Sequence, residues 1–300
     1  MKELSGGKES VTIEEAVNMI KDGDHIALSG FAITRNAISI THEIIRQRKR
    51  NLTVSQSVGS MELDLLVGAG CVKEINYGGG SLDRYGQLNW VNKSIEDGTI
   101  NAHEYSYLSM IFRFLAGAMG LSFMPIKSLI GSDILRKLES KGEAKEFSCP
   151  FSGEKYILVK ALKPDIAIIH AQKADSNGNV FLMGPKFEVQ ELARASEKII
   201  VVVEEISSDT LNHEFVTIPG YLVDLLVHQP FGAYPTNLYG YYYQDPEHIK
   251  LYVESSKDPE KFEKYLNEYI LSSDNFFEFL RKSTTLKRLA YLESLAKRLL

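Results

Sequence analysis

The chain has 300 residues, 44% of them hydrophobic, and a formal net charge of −5. That is enough apolar material for one large core or two small ones, and no basic block beyond helix-surface clusters such as Arg46 to Arg50 marks a general nucleic-acid binder. Cys71 and Cys149 share no ligand-like spacing, the first ten residues carry no apolar signal core, and no apolar run is long enough for a bilayer, so the sequence reads as a reduced, soluble, cytoplasmic protein.

Thr12-Ile13-Glu14-Glu15 has the spacing of a capping box, and Ile13, Ala16, Val17 and Ile20 fall on one helical face. Asp22-Gly23-Asp24 stops that helix. His25 to Leu28 predicts a short strand, ended by Ser29-Gly30-Phe31, and residues 37–48 return to helical spacing. Leu52 to Ser57 reads as a strand and Leu63 to Val67 as a short helix closed by Gly68 and Gly70. Val72 to Tyr77 reads as another strand, with three glycines after it.

Residues 105–121 are apolar and aromatic, with Gly117 and Gly120 inside. Met124-Pro125-Ile126 starts a further strand, and residues 132–150 read as a polar, solvent-facing excursion. Asp165 to His170 and Lys198 to Glu204 are compact apolar runs. Ile200 to Val203 are four β-branched residues suited to a central strand covered on both faces, and Phe187 to Ser196 reads as the crossover helix between these runs. Leu222 to His228 fits strand or short helix. Pro219-Gly220 and Pro230-Phe231-Gly232 are turns. From Asp258 the chain is charged and helical, with Phe262, Tyr265, Leu266 and Tyr269 at helical spacing. Strand and helix in alternation predict an α/β fold, an open, mainly parallel sheet with flanking helices. The organisation expected is one domain over 1–257 and a helical tail over 258–300 that packs on the domain or on a partner.

Open parallel sheets place ligands at the carboxyl ends of their strands. Gly30 sits at such an end, as either a tight strand-to-helix turn or part of a pocket. Residues 78–86, "GGGSLDRYG", form a second glycine loop whose N–H groups can line an anion or carbonyl site, with Arg84 as an added charge, or a plain loop. Neither stretch is a dinucleotide or phosphate-loop fingerprint. The seven histidines show no HxxxH or HExxH spacing, so no metal site is expected. Glu204-Glu205 ends the strongest strand and either acts in a cleft or holds a loop by accepting backbone N–H bonds. Tyr239 to Tyr243, "YGYYY", either binds a planar ligand or covers an interface, without the basic interleaving of a nucleic-acid platform.

Several segments then match a known pattern in order. They are Asp22 to Phe31, Arg35, "LLVGAGCVKEI" at 65–75, "FMPIKSLIGSD" at 123–133, "DIAIIHAQKADSNGNV" at 165–180, Lys186-Phe187, "VVEEISSD" at 202–209, "IPGYLVDLLV" at 218–227 and "PFGAYPTNLYGYY" at 230–242. From about residue 10 to 275 the chain resembles the alpha subunit of family I CoA-transferases, glutaconate CoA-transferase alpha chains above all. The resemblance implies that family's NagB/RpiA/CoA-transferase-like fold. It implies an active site shared with a beta subunit in a heterotetramer or larger assembly, with no nucleic acid or membrane as partner. Coenzyme A thioester enters as substrate, with a carboxylic acid as acceptor and no bound cofactor.

In this family a beta-subunit glutamate, within a Ser-Glu-Asn-Gly-like motif, attacks the thioester. This chain has no such motif, so the resemblance implies no catalytic residue here and no activity without the beta subunit. It implies that Gly30 and Phe31 form a loop near the CoA, with Ser29 where the family usually has glycine. Arg35 aligns with an arginine of glutaconate-type chains. The loop of Gly79, Gly80 and Ser81 aligns with one reaching towards the acyl group. Gln56, Ser57 and Gly59 join the cleft by position, at the end of another strand. Two alternatives stand beside transfer. Tyr77 to Asp83 resembles a "Tyr-Gly-x-x-Ser-Leu-Asp" stretch of transferase-like hydrolases that open a cyclic CoA thioester in steroid-ring degradation. A non-catalytic CoA-ester-binding regulator is the other.

Overall fold

A computed structural model describes residues 8–298. Twelve strands are assigned: β1 (Ser10–Val11), β2 (His25–Leu28), β3 (Leu52–Gln56), β4 (Val72–Tyr77), β5 (Asn101–Glu104), β6 (Phe123–Ile126), β7 (Ala144–Ser148), β8 (Lys155–Lys160), β9 (Ile166–Asp175), β10 (Val180–Phe181), β11 (Lys198–Ser207) and β12 (Leu225–His228). Nine of them form one sheet in the order β1-β12-β11-β9-β2-β3-β4-β5, with β10 on β9. Every pairing along that order is parallel, and only β10 runs antiparallel. The fold is α/β with an open, mostly parallel sheet.

From β2 the chain winds one way through β3, β4 and β5. From β9 it winds the other way through β11 to β12. The order reverses between β2 and β9, the position at which an open sheet leaves a crevice beyond its strand ends.

One face of the sheet is covered by helices Ile13–Asn18, Ile38–Arg46 and Met61–Gly68, the other by Tyr107–Ala118 and Val189–Ala195. The capping box at Thr12 forms as the sequence predicts, with the Thr12 hydroxyl accepting from the Glu15 N–H and the Glu15 carboxylate accepting from the Thr12 N–H. Val201 to Val203 are fully buried, as a strand covered on both faces requires.

Three boundaries differ from the sequence reading. β9 runs on to Asp175 because its polar end stays paired to β11 and gains β10 on its other side. Residues 132–150 are not featureless. They hold helix Asp133–Ser140 and β7, which joins β6 and β8 in a separate antiparallel sheet. In β8 Ile157 and Val159 are buried between more exposed neighbours, the alternation of a sheet with one wet face. Leu225–His228 is strand, preceded by a 3-10 turn at Gly220–Leu222.

After Asp258 the chain is broken into helices Pro259–Tyr265, Phe276–Ser283 and Leu286–Arg298, with a π-helical stretch at Leu266–Leu271. Phe262, Tyr265, Phe276 and Phe279 are buried in the same core as Ile38, Leu65 and Tyr252. Both cysteines are free, and burial raises the Cys71 thiol to about 11. Among the described residues no helix is long and apolar enough to cross a membrane.

Phe279 is fully buried against His42, Tyr234 and His248. Phe279→Ala should cost about 3–5 kcal/mol by cavity formation, read as a shift of the urea midpoint. Deletion of residues 258–300 should give an aggregating chain in sedimentation.

Candidate functional site

The predicted site begins where β2 and β9 part. The Ser29 N–H donates to the Ile168 carbonyl at 2.9 Å, and one step on the Ser29 hydroxyl accepts from the His170 N–H at 3.2 Å. The serine oxygen thus satisfies a buried strand N–H that the departing β2 backbone leaves behind. Gly30 follows with φ of 115°. A side chain there would start 3.0 Å from the Arg35 carbonyl and the Asn36 amide nitrogen, so the position needs glycine for both torsion and space. Phe31 and Thr34 exchange backbone hydrogen bonds of 3.0 Å, and the tight turn between them leads to helix Ile38–Arg46.

Gln56 ends β3 and Ser57 follows it. The Gly78 N–H donates to the Ser57 carbonyl, the Gly59 N–H to the Gly79 carbonyl and the Ser81 N–H to the Gly59 carbonyl, each within 3.0 Å. A Cβ on Gly78 would meet the Ser57 carbonyl at 2.5 Å, and one on Gly80 the Gly59 carbonyl at 3.0 Å. The glycine run therefore lets the loop after β4 lie directly on the loop after β3. Gly79 (φ of 102°) has open space around its Cα, and Gly80 is exposed. The Ser81 hydroxyl accepts from the Asp83 N–H, so that side chain closes its own turn. Arg84 leans on Tyr85, its guanidinium 5.1 Å from the ring centre.

Phe31 stacks on Phe187 with centroids 4.4 Å apart and meets the edge of Tyr107 at 5.1 Å. All three rings are half-buried. Arg35 is buried, and its guanidinium donates to the Pro185 and Lys186 carbonyls at 2.8 and 3.4 Å. Burial lowers it to about 10. The charge holds the 185–187 segment against the Phe31 loop. Ala32, Arg35 and Phe187 all have left-handed torsions, with φ of 46°, 60° and 51°. Such non-glycine strain gathers at functional sites.

The sequence-predicted residues Ser29, Gly30, Phe31, Arg35, Gln56, Ser57, Gly79, Gly80 and Ser81 thus lie on three adjoining loops at one end of the sheet. Phe187, Tyr107 and Glu188 belong beside them. Nothing local in the sequence gives their convergence, because they sit on two further elements.

Glu204 is a strut. Its carboxylate accepts from His170 Nε2 at 2.8 Å, the Tyr242 hydroxyl at 2.6 Å, and the Phe231 and Gly232 N–H groups at 2.5 and 3.2 Å. Tyr242 is buried in this network, while Tyr239 is exposed. Glu205 lies in solvent, 4.0 Å from Lys173. Glu62 is fully buried at the start of helix Met61–Gly68 and accepts from the side-chain amides of Asn36 and Gln56. Burial raises its carboxyl to about 7 and that of Asp64 to about 6. Glu188 is also buried and shifted upward by burial.

A polar cavity of about 540 Å³ lies elsewhere, near the amino ends of β2, β3 and β4, bounded by His25, Arg113, Glu143 and Lys160. Its charges already answer one another. Arg113 donates to Asn76 and to the Lys160 carbonyl, and Lys160 donates to Glu143. Among the described residues no group of three or more His, Cys, Asp or Glu side chains is placed to hold a metal ion.

Residues 10–229 match the family model described as Coenzyme A transferase. The chain belongs to this family. A 3-oxoadipate CoA-transferase subunit from Pseudomonas knackmussii is 35% identical, over 91% of this chain and 98% of that protein. The crystal structure of glutaconate coenzyme A-transferase from Acidaminococcus fermentans superposes with a TM-score of 0.89 at 30% identity, covering 95% of this chain and 96% of that one. An uncharacterized protein of Archaeoglobus fulgidus is 36% identical over 97% of this chain, which spans 66% of that protein's length. The cholesterol ring-cleaving hydrolase IpdA subunit of Rhodococcus jostii is 26% identical, over 92% of this chain and 96% of that protein.

Two predictions come from these carboxyls. Glu204→Gln replaces an acceptor oxygen by a donor that faces other donors, and should cost about 2–3 kcal/mol, read by thermal unfolding. Glu62 is raised, so its contribution is complete below about pH 4.5 and fades as the pH climbs through about 7. Relative to Glu62→Gln, the natural chain should therefore lose about 3 kcal/mol over that window, measured as the difference between their urea midpoints.

Proposed function

We propose that this chain is the alpha subunit of a heteromeric CoA-transferase that moves CoA between an acyl-CoA and a carboxylic acid. The observation that carries the reading is a set of adjoining glycine loops with an aromatic wall, where the glutamates placed beside them, Glu62, Glu188 and Glu204, are all buried. Glu204 is saturated by four donors, and Glu62 and Glu188 are buried. The nucleophile then comes from a beta subunit, in a heterotetramer or larger assembly. Leu108, exposed directly after Tyr107, adds an apolar side chain beside this wall for it.

The chemistry follows from the nucleophile. A beta-subunit glutamate attacks the thioester carbonyl and expels CoA thiolate, leaving a mixed anhydride. The thiolate then attacks the glutamyl carbonyl and releases the first carboxylate, giving a glutamyl-CoA thioester. The acceptor carboxylate attacks that thioester, thiolate leaves again, and its return to the acceptor's acyl carbon frees the glutamate. A carboxylate serves because it can itself become an acyl donor. This chain's part is to shelter these intermediates from water with the Phe31, Tyr107 and Phe187 rings. It also turns loop N–H groups towards the tetrahedral oxyanions. Ser29, Gly30, Phe31, Gly79 and Gly80 are the residues we assign to the cleft. Arg35, Gln56 and Ser57 support them from behind, and Ser81 shapes the loop.

A second reading, hydrolytic opening of a cyclic CoA thioester, is favoured by one feature. The Tyr77 to Asp83 stretch, which ends β4, packs its glycines against Gly59 at the same cleft.

Co-expression with a beta chain encoded beside it, followed by incubation with acyl-CoAs and carboxylates, tests both. We expect a new acyl-CoA and a CoA adduct on a beta-subunit glutamate by mass, and no turnover by this chain alone. Ring-opened product without adduct selects the hydrolase. CoA-ester binding without turnover in the complex selects a regulator.

A further inference from the structure

Helix Met61–Gly68 is buried almost all round, and Met61, Leu63, Leu65 and Leu66 are all fully enclosed. Glu62 shares that burial. An apolar residue there would avoid the cost of desolvating a carboxyl, so stability alone does not account for it.

What Glu62 touches gives the reason. One carboxyl oxygen, Oε1, accepts from Asn36 Nδ2 at 2.6 Å and also from Gln56 Nε2. Among the described residues Asn36 Oδ1 and Gln56 Oε1 are buried without a hydrogen-bond partner, as are Ser60 Oγ and Glu62 Oε2. Among the described residues Glu62 is therefore the one side chain that anchors both amides. Each amide backs one cleft loop. Asn36 Nδ2 lies 3.0 Å from where a Gly30 side chain would begin, and Gln56 Oε1 lies 3.7 Å from the equivalent point on Gly59. Gly59 in turn exchanges hydrogen bonds with Gly79 and Ser81.

We propose that Glu62 is a positioning residue for the reaction, tying the Gly30–Phe31 loop and the Gly59–Ser81 loops to one buried oxygen so that their N–H groups hold a fixed separation. This deepens the CoA-transferase reading and rests on it for its functional meaning. An oxyanion site gains from donors that need no reorganisation, and a displacement of about 1 Å in such a site costs about a hundredfold in rate. Glu62 touches no substrate. It acts through Asn36 and Gln56.

The test uses the co-expressed complex and, separately, hydrogen exchange on this chain. Glu62→Leu should lower kcat about thirtyfold or more with KM within about threefold. Glu62→Gln, which keeps an acceptor oxygen, should restore most of the rate. Exchange at the Thr34, Gly59 and Ser81 amides should quicken about tenfold or more in Glu62→Leu, with helix Leu286–Arg298 unchanged. Should Glu62→Leu fail to fold, single-arm variants replace it. Gln56→Leu should loosen Gly59 and Ser81 while sparing Thr34, whose N–H donates within its own loop to the Phe31 carbonyl, and Asn36→Leu should do the reverse. Unchanged exchange at all three amides, or equal loss of protection across the chain, overturns the positioning role. A natural complex without any transfer overturns the functional reading, while the exchange result still decides the role of Glu62.

Discussion

Two backbones that pair as parallel strands up to Leu28 and Ile168 must separate at Ser29, and the rest of the site depends on how that parting is managed. Beyond it β9 keeps its pairing with β11 on one side, while β2 turns away into the Phe31 loop. A buried N–H left without a partner there carries a penalty of about 1–3 kcal/mol. The Ser29 hydroxyl removes the penalty for His170, and Gly30 makes the turn sterically available. A small polar residue followed by a residue with no side chain solves a hydrogen-bonding problem and a space problem in consecutive positions.

Behind the loops lie two carboxyl-centred networks of opposite character. Glu204 is saturated, with two side-chain and two backbone donors, and it clamps the Phe231–Gly232 turn to β11. Glu62 is undersupplied, with one oxygen shared and the other bare. A saturated network rigidifies, whereas a partly satisfied one is tolerated only where something else is gained. The contrast separates a strut from a device serving the cleft, although both residues are acidic and buried.

The strands were readable because parallel strands covered on both faces need long β-branched runs, and Ile200 to Val203 supply one. The first helix was readable because its capping box is local. The cleft was readable only as far as its glycines are, since Gly30 and the 78–80 run stand at strand ends. The aromatic wall was not. Phe31, Tyr107 and Phe187 come from three elements brought together by strand order, which spacing does not encode. Glu62 escaped for another reason. An acid in the first turn of a helix favours the helix dipole, so it looks like a surface residue until the burial of the whole helix is known. Of the small antiparallel sheet β6 was readable at Met124-Pro125-Ile126, while β7 and β8 escaped because their polar outer faces read as loop.

The reversal of strand order has a bearing on how the protein comes to exist. β2 is made early, but its neighbour β9 follows 140 residues later, as the pairing of His25 with Asp165 marks. Pairings so distant in sequence are slow to close, because the intervening chain must first be ordered. During synthesis the block β2 to β5 can assemble while one side of β2 still presents bare N–H and C=O groups. The same strand that later parts from β9 at the site is, for the interval before Ile166 to Ile168 emerge, an unsealed sheet edge, and it is covered only when the second half of the chain arrives.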